Sequence, residues 1–312
     1  MAKEHIPTYN LKTSRAVHRE PVQQDDFGYN NLPENRRIKG FELYSNHGMR
    51  PAIGPLRSTF YRMGISMRGT ADVQLGLEHY QHGNGTVNFT FPNQLFSKYN
   101  LSADAFGYYL LFDTDYLEEL VPAMNMATEF PFFGFHGIPF FQFEPAALQQ
   151  IEFFIVRIHE ELQGDKAGRE KAIKMYLYLI LLEARRSYDR QQLGSDAHLS
   201  VTMLLVRRYR QLVSEHFLVY RQVADYAALL HVTPNHLNRT IKDHTGQTAS
   251  DMIAAMQLQE ARSLLRYTDL SAAEIAYHLS FNDPSSFSRF FRKATGETPL
   301  DYRKAYLGIA SA

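Results

Sequence analysis

The rhythm of apolar and polar residues changes character three times along this 312-residue chain. Up to about residue 40 the sequence is polar with few periodic apolar positions, which predicts a loosely held arm. From Gly40 to about Asp113, stretches such as "STFYRMGISMRGTADVQL", "GTVNFTFPNQLF" and "FGYYLLF" are rich in aromatic and β-branched residues and partly alternate. Gly, Asn and Pro punctuate them, so short strands of a sandwich or barrel are expected. In "EPAALQQIEFFIVRIHEELQ" the period becomes helical, through Leu148, Ile151, Phe154, Ile155, Ile158 and Leu162, with Pro145 suited to the first turn. A second apolar-faced helix runs through Ile173, Tyr176, Leu177, Ile180 and Leu181, and the short "GDKAG" between them implies an antiparallel hairpin. Polar "DRQQLGSDAH" then reads as a linker, and everything after it as helix.

Within the helical third the sequence repeats itself. "DYAALLHVTPNHLNRTIKDHTGQT" from Asp225 aligns with "EIAYHLSFNDPSSFSRFFRKATGET" from Glu274 once one residue is inserted in the turn. Each copy offers a short helix with a small central residue, Ala227 or Ala276, where a second helix can cross closely. A capping residue follows, Thr233 or Asp283, and then Pro234 or Pro284 at the first helical position. The second helix of each copy has an apolar face, Leu237 and Ile241 or Phe287 and Phe291. Its other face carries Asn235, Asn238, Arg239 and Lys242, or Ser285, Ser288, Arg289 and Arg292. A helix held by its apolar side that shows polar and cationic groups to the major groove is the helix-turn-helix design. With the turn residues included, the candidate DNA contacts are Thr233, Asn235, His236, Asn238, Arg239, Lys242, Ser285, Ser286, Ser288, Arg289 and Arg292. Between the copies, "ASDMIAAMQLQEARSLLRY" predicts one continuous helix roughly 28 Å long. That length can hold two recognition helices about one DNA turn, ~34 Å, apart.

These residues resemble the AraC/XylS family of bacterial transcription regulators over about Leu199 to Tyr306. The resemblance includes the signature "DLSAAEIAYHLSFNDPSSFSRFFRKATGETPLDYR", with Ile275, Ala276, Phe281, Phe287, Phe291, Gly296, Pro299, Tyr302 and Arg303 in the family's places. It implies an N-terminal cupin-like domain for sensing and dimerisation. The second recognition helix departs from the pattern by offering short serines where larger hydrogen-bonding residues are usual, so it is expected to supply affinity more than base discrimination.

Composition narrows the alternatives. Lys+Arg and Asp+Glu both number 33, so there is no bulk attraction to DNA, membrane or acidic ligands. From Leu199 onward the sequence has 13 basic against 10 acidic residues, leaving 20 against 23 before it, which is a weakly basic tail of +3. That is too little for a nonspecific architectural DNA binder. With no cysteine there is no disulfide, no thiolate metal site and no acceptor for a repair methyltransferase. The N-terminus lacks an apolar signal core and no stretch matches a membrane span, so a cytoplasmic protein without membrane contact is expected.

In the N-terminal part, Glu78, His79 and His82 of "LEHYQHGNG", with His47 and His136 elsewhere, are the candidate metal ligands. The two close histidines read better as solvated residues of a Gly-Asn loop. No catalytic set stands out, so neither enzyme activity, cofactor nor metal is expected. "TEFPFFGFHGIPFFQF" reads as a core-covering segment, with an effector pocket as its alternative. "MYLYLILLEARR" is wide enough in its apolar stripe to pack on the sheet and also form a dimer seam through Tyr176 and Ile180.

The expected architecture is α+β. Residues 1–192 form a cupin-like β-sandwich or barrel with a helical hairpin, 193–198 a linker, and 199–312 an all-α domain of two helix-turn-helix units joined by a long helix. The expected function is sequence-specific transcription regulation, as an activator. Its partners would be double-stranded operator DNA, a second copy of the chain, a small-molecule effector and RNA polymerase. The rival is a cupin-type metal enzyme fused to a DNA-targeting module.

Overall fold

A computed structural model describes residues 8–20, 26–135, 137–194 and 201–310. The chain divides into two compact units, one spanning Thr8–Asp196 and the other carrying Ala197–Ala312. Of the expected linker, Leu193 and Gly194 end in a turn and residues 195–198 lie outside the described residues.

The first unit begins with strand β1 (Thr8–Tyr9) and helix α1 (Leu11–His18), whose N-terminus is closed by an Asn10–Thr13 capping box. The expected loose arm is thus corrected for the part described. Leu11, Ser14 and His18 form a buried helical face, and Tyr29, Leu32 and Ile38 are also buried. Buried Arg19 donates to Ser45 O, the Tyr109 hydroxyl and Asn30 Oδ1. The segment escaped a reading by apolar period because polar Ser14 and His18 do the packing.

Nine further strands follow: β2 (Phe41–Ser45), β3 (Ile53–Ser58), β4 (Tyr61–Arg68), β5 (Ala71–Leu75), β6 (Glu78–His82), β7 (Thr86–Thr90), β8 (Phe96–Tyr99), β9 (Phe106–Phe112) and β10 (Phe140–Gln142). They build two five-stranded sheets, ordered β1-β3-β8-β5-β6 and β10-β7-β4-β9-β2. A short helix α2 (Met126–Glu129) precedes β10, and the hairpin helices α3 (Pro145–Gln163) and α4 (Arg169–Arg190) follow it.

The main apolar core lies between the second sheet and this hairpin. Met63, Ile65, Val87, Phe89 and Leu110 meet Ile151, Ile155, Ile158, Leu177, Ile180 and Leu181 there. Phe130, Phe132, Phe133, Phe141 and Phe143 are buried in the same cluster, so the aromatic segment serves as core cover. Ile180 is fully buried within the unit and Tyr176 packs half-buried against it, so Ile180 cannot face a partner. The apolar residues that the hairpin exposes are Phe153, Val156, Met175 and Leu179.

His79 and His82 lie in β6 rather than in a loop, and their odd spacing sends them to opposite faces of the sheet. His82 is buried, with Nε2 2.9 Å from Asn88 Oδ1 and Nδ1 2.7 Å from Thr86 Oγ1. His79 Nδ1 lies 3.3 Å from the Tyr99 hydroxyl. His47 packs on Phe106, and His136 lies outside the described residues. Among the described residues, no three His, Asp or Glu side chains are grouped to hold a metal ion.

The second unit is helical: α5 (Val201–His216), α6 (Val223–Leu229), α7 (Pro234–Thr245), α8 (Ala249–Tyr267), α9 (Ala272–His278), α10 (Pro284–Thr295) and α11 (Pro299–Ala310). The long helix α8 has the 19 residues its apolar period predicts. A Thr248–Asp251 capping box starts it, and the buried Tyr209 hydroxyl of α5 donates to Ala249 O at 2.6 Å. No helix among the described residues is long and apolar enough to cross a membrane.

Candidate nucleic-acid interface

Two polar helix faces, on α7 and α10, are built by the same local chemistry twice. Thr233 caps α7 by accepting from His236 N–H, and Asp283 caps α10 by accepting from Ser286 N–H; each cap is followed by proline. Both helices have 12 residues and end in a left-handed glycine, Gly246 at φ 74° and Gly296 at φ 87°. A side chain there would be strained by the backbone alone. Thr245 and Thr295 donate back to Ile241 O and Phe291 O at 2.7 and 2.8 Å. Thr248 and Thr298 then bond Asp251 and Asp301 as the next helix begins. Sequence symmetry has become geometric symmetry.

The apolar faces anchor these helices. Leu237, Ile241, Phe287 and Phe291 are fully buried, and Ala227 and Ala276 lie in the packed crossings of α6 and α9. At the matched turns, His231 and Ser280 take φ of 56° and 59°. The two helix-turn-helix copies also touch away from α8. Arg221, before α6, donates to Ser280 O and stacks 4.5 Å from the Phe281 ring centroid, while the Ser280 hydroxyl donates to Leu218 O at 2.9 Å.

On α7, Asn235, His236, Arg239 and Lys242 are exposed. The Arg239 side chain is 85% exposed and meets Asp243 at 3.7 Å, a pairing too open to hold it against a stronger acceptor. Asn238 is half-buried, and its Oδ1 accepts from Ala249 N–H at 3.0 Å, which ties α7 to the first turn of α8. Thr233 likewise has its hydroxyl committed to the cap.

On α10, Ser285, Arg289 and Arg292 are exposed and Ser288 is half-buried. Ser286 is drawn inward: its hydroxyl donates to Asp283 Oδ2 at 2.7 Å and accepts from Arg289 at 3.3 Å. Side-chain and backbone hydrogen bonds from Ser286, with smaller contributions from the Ser285 N–H and the nearby Arg289 charge, hold the Asp283 carboxyl below the ordinary range. Asp283, Ser286 and Arg289 thus form a local chain in which Arg289 is partly oriented by its own helix. Lys242 and Arg292 stand in the last turn of their helices, where cations complement the exposed carbonyls.

Two signature residues turn out to be internal struts. Arg303 Nε donates to Leu265 O at 3.0 Å and Nη2 to Leu270 O at 2.6 Å, closing the end of α8. Tyr302 packs on Phe291 at 5.4 Å, with Arg266 over its ring. Their sequence signal was the family pattern; nothing in their local spacing says which carbonyls they hold.

Residues 226–305 match a family described as "Helix-turn-helix domain". The transcriptional activator RhaS of Escherichia coli O157:H7 (strain EC4115 / EHEC) is 28% identical over 167 residues, 53% of this chain and 57% of its own. RhaS of Salmonella dublin is 32% identical over 163 residues, 51% and 55% of the two chains. The match thus spans little more than half the length of these relatives. Among solved structures, the C-terminal domain of AraT, a response regulator from Geobacillus stearothermophilus, is 31% identical over 34% of this chain and 88% of its own, with a TM-score of 0.32. The repeated caps, the buried apolar faces and the matched sequence together identify the C-terminal part of this chain as a helix-turn-helix domain, similar to those of the AraC/XylS family.

Proposed function

We propose that this chain is a sequence-specific, DNA-binding transcription regulator that reads two successive major grooves with α7 and α10. The observation that carries the reading is the pair of correspondingly capped helices at the two ends of one 19-residue helix, each buried on its apolar side and cationic on the other. In this reading Asn235, His236 and Arg239 read base edges and Lys242 and Arg292 hold phosphates. Arg289 and the serines of α10 contribute affinity with less base choice.

The relatives' description as transcriptional activators supports activation through RNA polymerase. The N-terminal unit is proposed as the sensory and dimerisation part, with regulation rather than catalysis as its role and the cytoplasm as its place of action. A homodimer is proposed through the exposed Phe153, Val156, Met175 and Leu179 of the hairpin. Domain limits of 1–192 and 199–312 are proposed, with the second part binding DNA by itself.

Selection from a randomised duplex library, followed by footprinting, tests the reading. Enriched sites should hold two conserved blocks about one helical turn apart on one face of the duplex. Enrichment of a single block, or of none, would reject it.

A further inference from the structure

The inner face of the second sheet is unlike its outer face. Register places Arg62 opposite Thr90 and Leu111, and Gly64 opposite Asn88 and Tyr109, so these side chains share the face turned away from the helical hairpin. From the other sheet Phe96 and Lys98 of β8 reach the same space, and His18 of α1 completes the wall. A sandwich interior is expected to be apolar. This one is cationic.

Three of these groups are buried without a partner for a polar atom: Arg62 Nη1, Asn88 Nδ2 and His18 Nε2, in residues 6%, 2% and 5% exposed. The Arg62 guanidinium stacks 4.0 Å from the Phe96 ring centroid, an arrangement that leaves its in-plane N–H groups for an acceptor. Glu42, the carboxylate opposite Leu111 on this face, is already bound by Arg15 at 2.6 Å and by the Tyr44 hydroxyl. Tyr109 accepts from Arg19 and does not spend its own proton in that bond. A buried guanidinium without a counter-charge is costly, and a buried donor without an acceptor adds to the cost.

We infer that the space between the two sheets is a binding site for one small monovalent oxyanion of the carboxylate type, held by Arg62, Lys98, Asn88 and the Tyr109 hydroxyl. Size sets the class. The cavity volume is about 20 Å³, and a sphere of that volume is about 3.4 Å across, enough for the atom centres of a three- or four-atom ion and too small for a sugar. Gly64 keeps the site open, because a Cβ there would stand 2.5 Å from Asn88 Oδ1. His18 adds a preference. Its Nδ1 lies 2.7 Å from Ser14 O and must carry the proton, so Nε2 is a lone pair that favours an oxyanion bearing a hydroxyl. Protonation tendencies agree: burial lowers Arg62 to about 10, and burial with the Arg62 charge lowers Lys98 to about 8, as expected for cations packed together without an anion. The site does not rest on the DNA-binding reading.

The test uses the full chain and defined probes at constant ionic strength: formate, acetate, bicarbonate, chloride and sulfate. Thermal unfolding should rise saturably with the three carboxylate-type ions, bicarbonate acting at the lowest concentration, and ¹³C-formate should show saturable line broadening. Chloride and sulfate should give no saturable rise. Arg62→Met should weaken the half-saturating concentration at least ten-fold, and Lys98→Met, at a less buried position, should do the same in part. Equal responses to chloride and formate, or an Arg62→Met and Lys98→Met pair that respond like the parent, would overturn the site. DNA binding can be assayed separately, so a failed operator experiment leaves this result standing.

Discussion

Arg239→Ala separates base reading from general attraction. Arg239 projects from the middle of α7 with 85% of its side chain exposed, and its one ion pair, to Asp243 at 3.7 Å, is open to water. Such pairs are worth about 0–1 kcal/mol, so truncation should leave thermal and denaturant unfolding unchanged. On DNA the same guanidinium can give two hydrogen bonds to guanine O6 and N7. Losing them should cost about 1–3 kcal/mol, or about 5- to 150-fold in affinity, and the loss should fall on one base pair. Asp243→Asn supplies the reverse perturbation, since it removes the negative charge that competes for Arg239, and should tighten binding slightly. The assay is binding of a randomised operator library at two salt concentrations. For Arg239→Ala, preference should flatten at a single position with an unchanged salt slope. For Lys242→Ala and Arg292→Ala, every sequence should weaken alike and the slope should fall by about one phosphate. Arg289→Ala should lie between, because Ser286 and Asp283 already orient it. A uniform loss with Arg239→Ala, together with altered base preference with Arg289→Ala, would refute the assignment of reader and anchor.

Other expectations follow from the packing and the buried charges. Asn238→Ala should lower stability by about 1 kcal/mol, through the lost bond to Ala249 N–H, without changing base preference; a changed preference in the library would return Asn238 to the groove. Phe291→Ala, at a fully buried position, should cost about 3–5 kcal/mol in chemical denaturation of the C-terminal domain. Burial lowers His18 and His82 to about 3, against about 6.5 unfolded, so the stability they contribute is complete above pH 6.5 and is lost as pH falls toward 3. By pH 5 the loss should reach up to about 2 kcal/mol per histidine, and a His18→Gln, His82→Gln chain should show a flatter pH profile in urea unfolding. Arg221→Ala should weaken binding to a two-block operator while leaving a single first-block site unaffected, as read by gel shift.

The helical third was legible because its signals are local. Thr248 and Asp251 mark the start of α8, Pro234 and Pro284 the starts of α7 and α10, and glycines at 246 and 296 their ends. The bond from Ala249 N–H to Asn238 is not legible in the sequence, because exposure on a helical wheel does not reveal a neighbouring helix terminus that needs an acceptor. Strand β6 reads as a loop in the sequence because only Tyr80 among its residues favours a strand strongly. The cavity was invisible for a different reason. Alternation in "YRMGISMR" separates Arg62, Gly64 and Ser66 from Met63 and Ile65, and the polar set reads as the wet face. Here both faces are covered, and the hairpin takes the apolar one.

Helix α8 also works as a ruler. It is unbroken over 19 residues, and Arg221 and Leu218 brace the far unit at Ser280, so neither recognition helix can rotate independently about it. B-DNA turns about 34° and advances about 3.4 Å with each base pair. One inserted pair between the two blocks would carry the second away from its helix, and a full extra turn would put it beyond the reach of a rod roughly 28 Å long. The distance between blocks is therefore read as strictly as the bases, and an operator can drift in letters more freely than in length.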